Sequence, residues 1–311
     1  MKQSSGIYYA GLAFVSIIWG MNFGISRWAM EDFSPEVFTF LRFGLSVPIL
    51  FLILKWFEGN VGIERKDLLK FLVIGAIGVT ALEIMVMYSI KFTTLANSSL
   101  LNVAPWPIFA ALLAPLFIAR EKMSMKLITG GAVAMIGVFL VILGGGQGFD
   151  MSSDYMIGNM MALIVSLIGA LYNLACMPLM KKYSPLRVSA WCLLFGSVFM
   201  VPFTLNGWSA VAWSNLGAMS YLAITFNVLL CTVAAFLIWN SSMKRVGATK
   251  ANFYRYLVPA TAAIAGYLFF DEAIHLMQLV GGLIMVAGLV WIGSEKSDAS
   301  DADKNKEDVP A

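Results

Sequence analysis

Apolar residues run along this chain in long blocks of about 20, parted by short connections where the charges gather. Ten blocks stand out, at 7–27, 35–55, 68–89, 95–118, 125–143, 155–178, 187–204, 214–240, 249–270 and 275–293. About 20 residues of helix, rising ~1.5 Å each, cross the hydrocarbon of a bilayer. Backbone N–H and C=O groups find no water there, so each block must satisfy its own hydrogen bonds as a helix. The alternating pattern of a transmembrane β-strand is absent. The pattern predicts an all-α polytopic membrane protein with ten transmembrane helices.

The blocks repeat. Glu121, Gly130 and Gly137 recur as Glu272, Gly281 and Gly288 with the same spacing, offset by 151. Ser34-Pro35 recurs as Ser184-Pro185, and Val15-Ser16 as Val165-Ser166, each offset by 150. A period of half the chain divides the ten helices into two units of five. Five is odd, so the second unit enters the membrane from the opposite side, and the repeats are inverted. The predicted organisation is a first five-helix repeat at 7–143, a Gly-rich linker at 144–154, a second repeat at 155–293 and a polar tail at 294–311. The tail has too little apolar surface to fold alone.

Composition narrows the class. The chain has 311 residues, 59% apolar, with 21 Lys+Arg and 18 Asp+Glu. A soluble domain carries roughly 25% charged residues, and 13% here excludes a soluble enzyme, a disordered chain and a nucleic-acid-binding domain. The basic residues also give an orientation. If the N-terminus is cytoplasmic, inside segments hold seventeen Lys and Arg, while outside segments hold only Arg27 and Lys91. That bias places both termini in the cytoplasm. The first block has neither the short core nor the cleavage pattern of a signal peptide. Cys176, Cys192 and Cys231 fall inside spans and read as buried thiols. The single histidine, His275, cannot build a metal site alone. No metal or cofactor is called for. The expected partners are the lipid bilayer and a small-molecule substrate, with monomer and homodimer both open and no nucleic acid.

Trp19-Gly20-x-Asn22-Phe23, Pro35, Arg42-Phe43 and Pro107 to Leu113 followed by Glu121 and Gly130 resemble the EamA-type branch of the drug/metabolite transporter superfamily. Pro259, Glu272 and Gly281 repeat part of that pattern. The resemblance covers roughly residues 8–292. Arg120 stands where the family usually has glycine, and Gly169-Ala170 replaces a second Trp-Gly pair. The resemblance implies a transporter of small metabolites in a prokaryotic inner membrane, often an exporter of amino acids or amines.

Three charges lie inside spans: Arg42, Glu83 and Arg255. Intramembrane charge is costly and marks a pathway, a relay or a pair. Counting helical rise, Glu83 lies roughly 22 Å and Arg42 roughly 20 Å from the basic edge, so the two can meet. Either Glu83 binds a proton or a substrate amine and changes partner between states, or it is a fixed counter-ion of Arg42. Arg255 lies about 9 Å from the end of its span, within reach of snorkelling.

Ser16, Trp19, Asn22 and Ser26 share one face of span one. Their repeat mates are Ser166, Gly169, Tyr172 and Cys176, with Asn173 adjacent. Such a face turns into the bundle, either lining a cavity or allowing close packing, as the Gly20/Gly24 step does. In span four, Asn102, Pro105, Trp106 and Pro107 predict a kink or an unwound turn, and Pro259 marks a second candidate break. Trp106 and Trp239 lie too deep to serve only as interface anchors.

The pathway candidates are therefore Trp19, Asn22, Arg42, Glu83, Asn102, Trp106, Tyr172, Asn173, Trp239 and Arg255. Glu83 is the proton-coupling candidate, and Pro105, Pro107 and Pro259 are the helix-break candidates. Glu121 and Glu272 are expected to cap spans five and ten. A membrane enzyme needs paired acids or a Ser/His couple at one face, which the sequence does not supply. The expected function is export of an amino acid or amine by alternating access, with uptake or exchange of another small metabolite as the alternative.

Overall fold

A computed structural model describes residues 6–117, 125–144, 153–246, 254–288 and 290–291. Among these there is no strand. Six helices are long and apolar enough to cross a membrane, and shorter apolar helices accompany them. Their outward faces carry large apolar side chains such as Leu52, Leu69, Phe139, Phe203, Leu222 and Leu283, which is the surface a bilayer solvates.

The two repeats start alike. Helix α1 spans Gly6–Ala29 and α2 spans Pro35–Glu58. The Ser34 side chain caps α2 by accepting from the Val37 amide, and Pro35 occupies the first turn, where its missing N–H costs nothing. In the second repeat, α8 spans Asp154–Met180 and α9 spans Pro185–Thr204. There Ser184 accepts from the Arg187 amide in the same geometry.

Neither third span is a plain α-helix. In the first repeat α3 (Leu68–Gly75) runs through a wide π turn at Ala76–Ala81 into α4 (Leu82–Phe92). In the second, α10 (Ala218–Thr225) runs through a π segment at Phe226–Ala234 into α11 (Ala235–Val246). The two π segments begin 150 residues apart. Threonine hydroxyls bond carbonyls five residues back in each: Thr80 to Gly75 at 3.4 Å and Thr232 to Asn227 at 2.9 Å. Such segments are common at functional sites.

The fourth spans are broken at matched positions. Helix α5 (Leu95–Val103) stops, the chain bends at Ala104-Pro105, and α6 (Trp106–Phe117) follows. In the second repeat the chain turns at Arg255-Tyr256 before α12 (Leu257–Phe269). The span expected at 95–118 is thus two helices. Pro105 stands at its break, and Pro107 is the second residue of the helix that follows. Pro259 does not make the second break. It is the third residue of α12, within the first turn, where no intrahelical donor is needed.

The fifth helices, α7 (Met125–Gly144) and α13 (Leu276–Gly288), meet through the glycines that mark the repeat. A Cβ on Gly137 would lie 2.5 Å from the Gly281 carbonyl oxygen, and one on Gly288 would lie 2.6 Å from that of Gly130. The order of these pairs is antiparallel, as inverted repeats require. Elsewhere α1 packs on α11 and α12 of the second repeat, and α8 packs on α4 and α6 of the first. Each repeat's first helix is therefore held between the third and fourth spans of the other.

Candidate functional site

Arg42 sits where the repeats join. Its Nη1 donates to Glu83 Oε2 at 3.3 Å, and its Nε donates to Thr232 Oγ1 at 3.2 Å. The guanidinium lies 4.6 Å from the centre of the Phe43 ring. Arg42 is buried and Glu83 half-buried. One cation thus ties α2 and α4 of the first repeat to the π segment of the second. A π turn makes the Thr232 position available, because widening the helix turns its side chains off the regular 3.6-residue face. Just beyond, Asn227 donates to the Ala223 carbonyl while its own Oδ1 is buried without a partner.

The neighbouring residue of the same π segment serves a second cluster. The Trp19 indole donates to the Cys231 carbonyl at 3.0 Å. Trp19 packs on Trp239, ring centres 4.9 Å apart. The Arg255 guanidinium lies 4.4 Å from the Trp106 ring centre and 5.7 Å from that of Trp19. It is turned into this aromatic group, so it does not reach along its span toward the membrane edge as snorkelling would require. Arg255 Nε and Trp106 Nε1 are both buried without a hydrogen-bond partner. Among the described residues no carboxylate pairs with Arg255.

The remaining candidates spread around these two clusters. Asn22 is buried and accepts from the Ser26 hydroxyl at 3.2 Å. Asn102 is buried one residue before the end of α5. Tyr172 lies on Gly78 of the first π segment, in the apolar cluster that holds Phe43, Val79 and Cys192. Asn173, next to it, is exposed. The ring of Trp106 lies on Gly169, the repeat mate of Trp19, so a tryptophan in both repeats would collide there. Ser16 and its mate Ser166 are both buried with unpartnered hydroxyls.

Hydrogen-bonded ties close over the bundle at both ends. At the lysine-rich end Lys182 donates to Asp67 at 2.6 Å and pairs with Glu64 at 2.6 Å, while Tyr183 donates to Asp67 at 2.9 Å. Arg187 pairs with Glu58 at 2.7 Å. The Lys182 and Lys66 ammonium groups hold the Glu64 carboxyl below its ordinary range. These contacts join the α2–α3 connection of one repeat to the α8–α9 connection of the other. At the opposite end Arg27 pairs with Glu272 and donates to the carbonyls of Ile90 and Thr93. Glu272 also accepts from the Leu95 amide at 2.7 Å. Glu272 therefore caps α5, not the last span as expected, because the chain beyond α12 folds back over the start of α5. Glu121 lies outside the described residues. A cavity of about 420 Å³ opens beside the Arg27–Glu272 pair, lined by Glu31, Lys91 and Tyr155 among others.

Sequence reasoning missed Thr232, Cys231 and Arg27. Thr232 and Cys231 carry no sequence signal of their own, since the π segment that presents them has none. Arg27 was visible as one of only two basic residues in the outside segments.

Comparison with known proteins places this geometry. Residues 5–143 and 156–294 each match the model of the EamA-like transporter family. The chain is 27% identical over 285 residues to an uncharacterized transporter, YyaM, of Bacillus subtilis (strain 168), covering 91% of this chain and 92% of that one. It is 25% identical over 298 residues, 94% of each chain, to a probable terminal-alkyne amino-acid exporter of Streptantibioticus cattleyicolor. A solved crystal structure shares the fold with a TM-score of 0.63 at 16% identity, covering 94% of this chain and 96% of that one.

Proposed function

We propose that this chain, which belongs to the EamA-like transporter family and is a multi-pass membrane protein of two repeats, exports an amino acid or amine across the cytoplasmic membrane by alternating access. Both termini lie in the cytoplasm, on the side where seventeen of the Lys and Arg residues gather. The relative named as a probable terminal-alkyne amino-acid exporter supports this substrate class and direction.

The observation that carries the reading is the Arg42–Glu83–Thr232 junction. It sets an acid and a base of the first repeat against the second repeat's π segment, beside π and broken segments that recur in both halves. Inverted repeats of this kind exchange roles, so the contacts on one side open as those on the other close. Glu83 is the group that takes a proton or a substrate amine when Arg42 leaves it.

The test uses purified protein in liposomes loaded with labelled amino acids and amines, one compound per preparation. At least one compound leaves faster than from protein-free liposomes, and a pH gradient changes its rate. Glu83→Gln abolishes the gradient's effect while substrate exchange persists. If no compound moves, the transport reading is wrong. If the gradient acts equally on Glu83→Gln, Glu83 is only the structural partner of Arg42.

A further inference from the structure

A half-buried cation with no counter-ion among the described residues needs an explanation. Removing a guanidinium from water is costly unless its charge is paired or its donors are satisfied. Arg42 meets that requirement with Glu83 and Thr232, and Arg27 meets it with Glu272 and two carbonyls. Arg255 does not. Among the described residues its charge is balanced only by the faces of Trp106 and Trp19, and stacking covers a face while leaving the edge donors free.

A further feature points to the same place. The indole N–H of Trp106, whose ring Arg255 covers, is buried with no acceptor. Two donors with no acceptor among the described residues therefore lie where spans four and nine are both broken.

We infer that Arg255 and the Trp106 indole N–H form a carboxylate-binding site, so the substrates of this protein are compounds that carry a carboxylate. A planar carboxylate matches the guanidinium edge, accepts from Arg255 Nε and Trp106 Nε1 together, and supplies the missing negative charge. Trp19 and Trp239 form the apolar wall beside it. This deepens the transport reading and rests on it for the site's role, choosing amino acids over the corresponding amines. The binding itself does not depend on that reading.

The test is a thermal-shift titration of the purified full-length protein with matched sets of ligands. Each set contains an L-amino acid, its decarboxylated amine and its des-amino acid, such as L-phenylalanine, 2-phenylethylamine and 3-phenylpropanoate. A set is prepared for each apolar and polar amino acid. Members with a carboxylate raise the melting temperature of the wild type and the bare amines do not. Arg255→Gln weakens the carboxylate compounds by about 10- to 100-fold, the usual worth of a hydrogen bond to a charged group. Trp106→Phe, which keeps the ring and removes the N–H, weakens them less, by about 5- to 10-fold.

Without ligand, Arg255→Gln melts close to the wild type, since among the described residues Arg255 has no ion pair or side-chain hydrogen bond to lose. A merely structural arginine would melt lower, and that result overturns the site. So do amines binding as well as their amino acids, or no carboxylate compound giving a shift that depends on Arg255. Liposome efflux separates the two ideas. If the compounds bind through Arg255 but never move, transport fails and the site stands. If amines move at equal rates in the wild type and Arg255→Gln, the site fails and transport stands.

Discussion

Breaking the Arg42–Glu83 pair gives a quantitative check on the ion pair of the first repeat that adjoins the second. Two unit charges about 4 Å apart at an effective dielectric constant of 20 attract by about 4 kcal/mol. The contact is single and rather long at 3.3 Å, and part of the attraction repays desolvation, which leaves a net coupling of about 2 kcal/mol. Arg42 also donates to Thr232 and stacks on Phe43, so Arg42→Met loses about 4 kcal/mol in all. Glu83→Gln alone loses about 2 kcal/mol, because it leaves the Arg42 charge unanswered. The double variant is no less stable than Arg42→Met, since the charge that Glu83 served is already gone. Equilibrium unfolding in mixed detergent micelles measures all four proteins. Costs that add to within about 0.5 kcal/mol, as they do for independent sites, would refute the pairing.

Other consequences are as direct. Gly137→Leu forces α7 and α13 apart, given the 2.5 Å approach to Gly281, and lowers stability by about 1–3 kcal/mol in the same unfolding assay. Gly288→Leu has a similar effect through the Gly130 carbonyl. Trp19→Phe removes the bond to the Cys231 carbonyl and loses about 1 kcal/mol, read by unfolding, with an altered substrate preference in efflux. Cysteines replacing Asp67 and Lys182, bridged by a short bifunctional reagent, hold the lysine-rich end shut. Transport stops and returns when a cleavable reagent is cut.

Much of the fold can be read from the sequence, for physical reasons. A helix in lipid must be long, apolar and self-satisfied, so spans announce themselves. The glycines at 130, 137, 281 and 288 announce the repeat because only glycine permits the backbone approach of α7 and α13. Counting helical rise puts Arg42 and Glu83 at one depth, and they stand 3.3 Å apart. What the sequence hides depends on register and on contacts between distant segments. The π segments have no residue signature, so Thr232 was invisible as the second partner of Arg42. Pro259 drew attention away from Arg255-Tyr256, where the chain turns. Glu272 reads as a local cap, but its partners Arg27 and Leu95 lie about half the chain or more away. Arg255 was legible as a charge and illegible as an unpaired one, because pairing depends on what the fold brings near.

The claim that joins these observations is that the polar centre between the repeats opens to each side of the membrane in turn. Asn102→Cys tests it most directly, placed beside the break in span four with Cys176, Cys192 and Cys231 replaced by alanine. A membrane-impermeant thiol reagent is applied to sealed vesicles from one side and then the other. Labelling occurs from both sides, and bridging positions 67 and 182 confines it to the side away from the lysine-rich end. Labelling that stays possible from both sides after bridging, or occurs from one side alone in the unbridged protein, would contradict it.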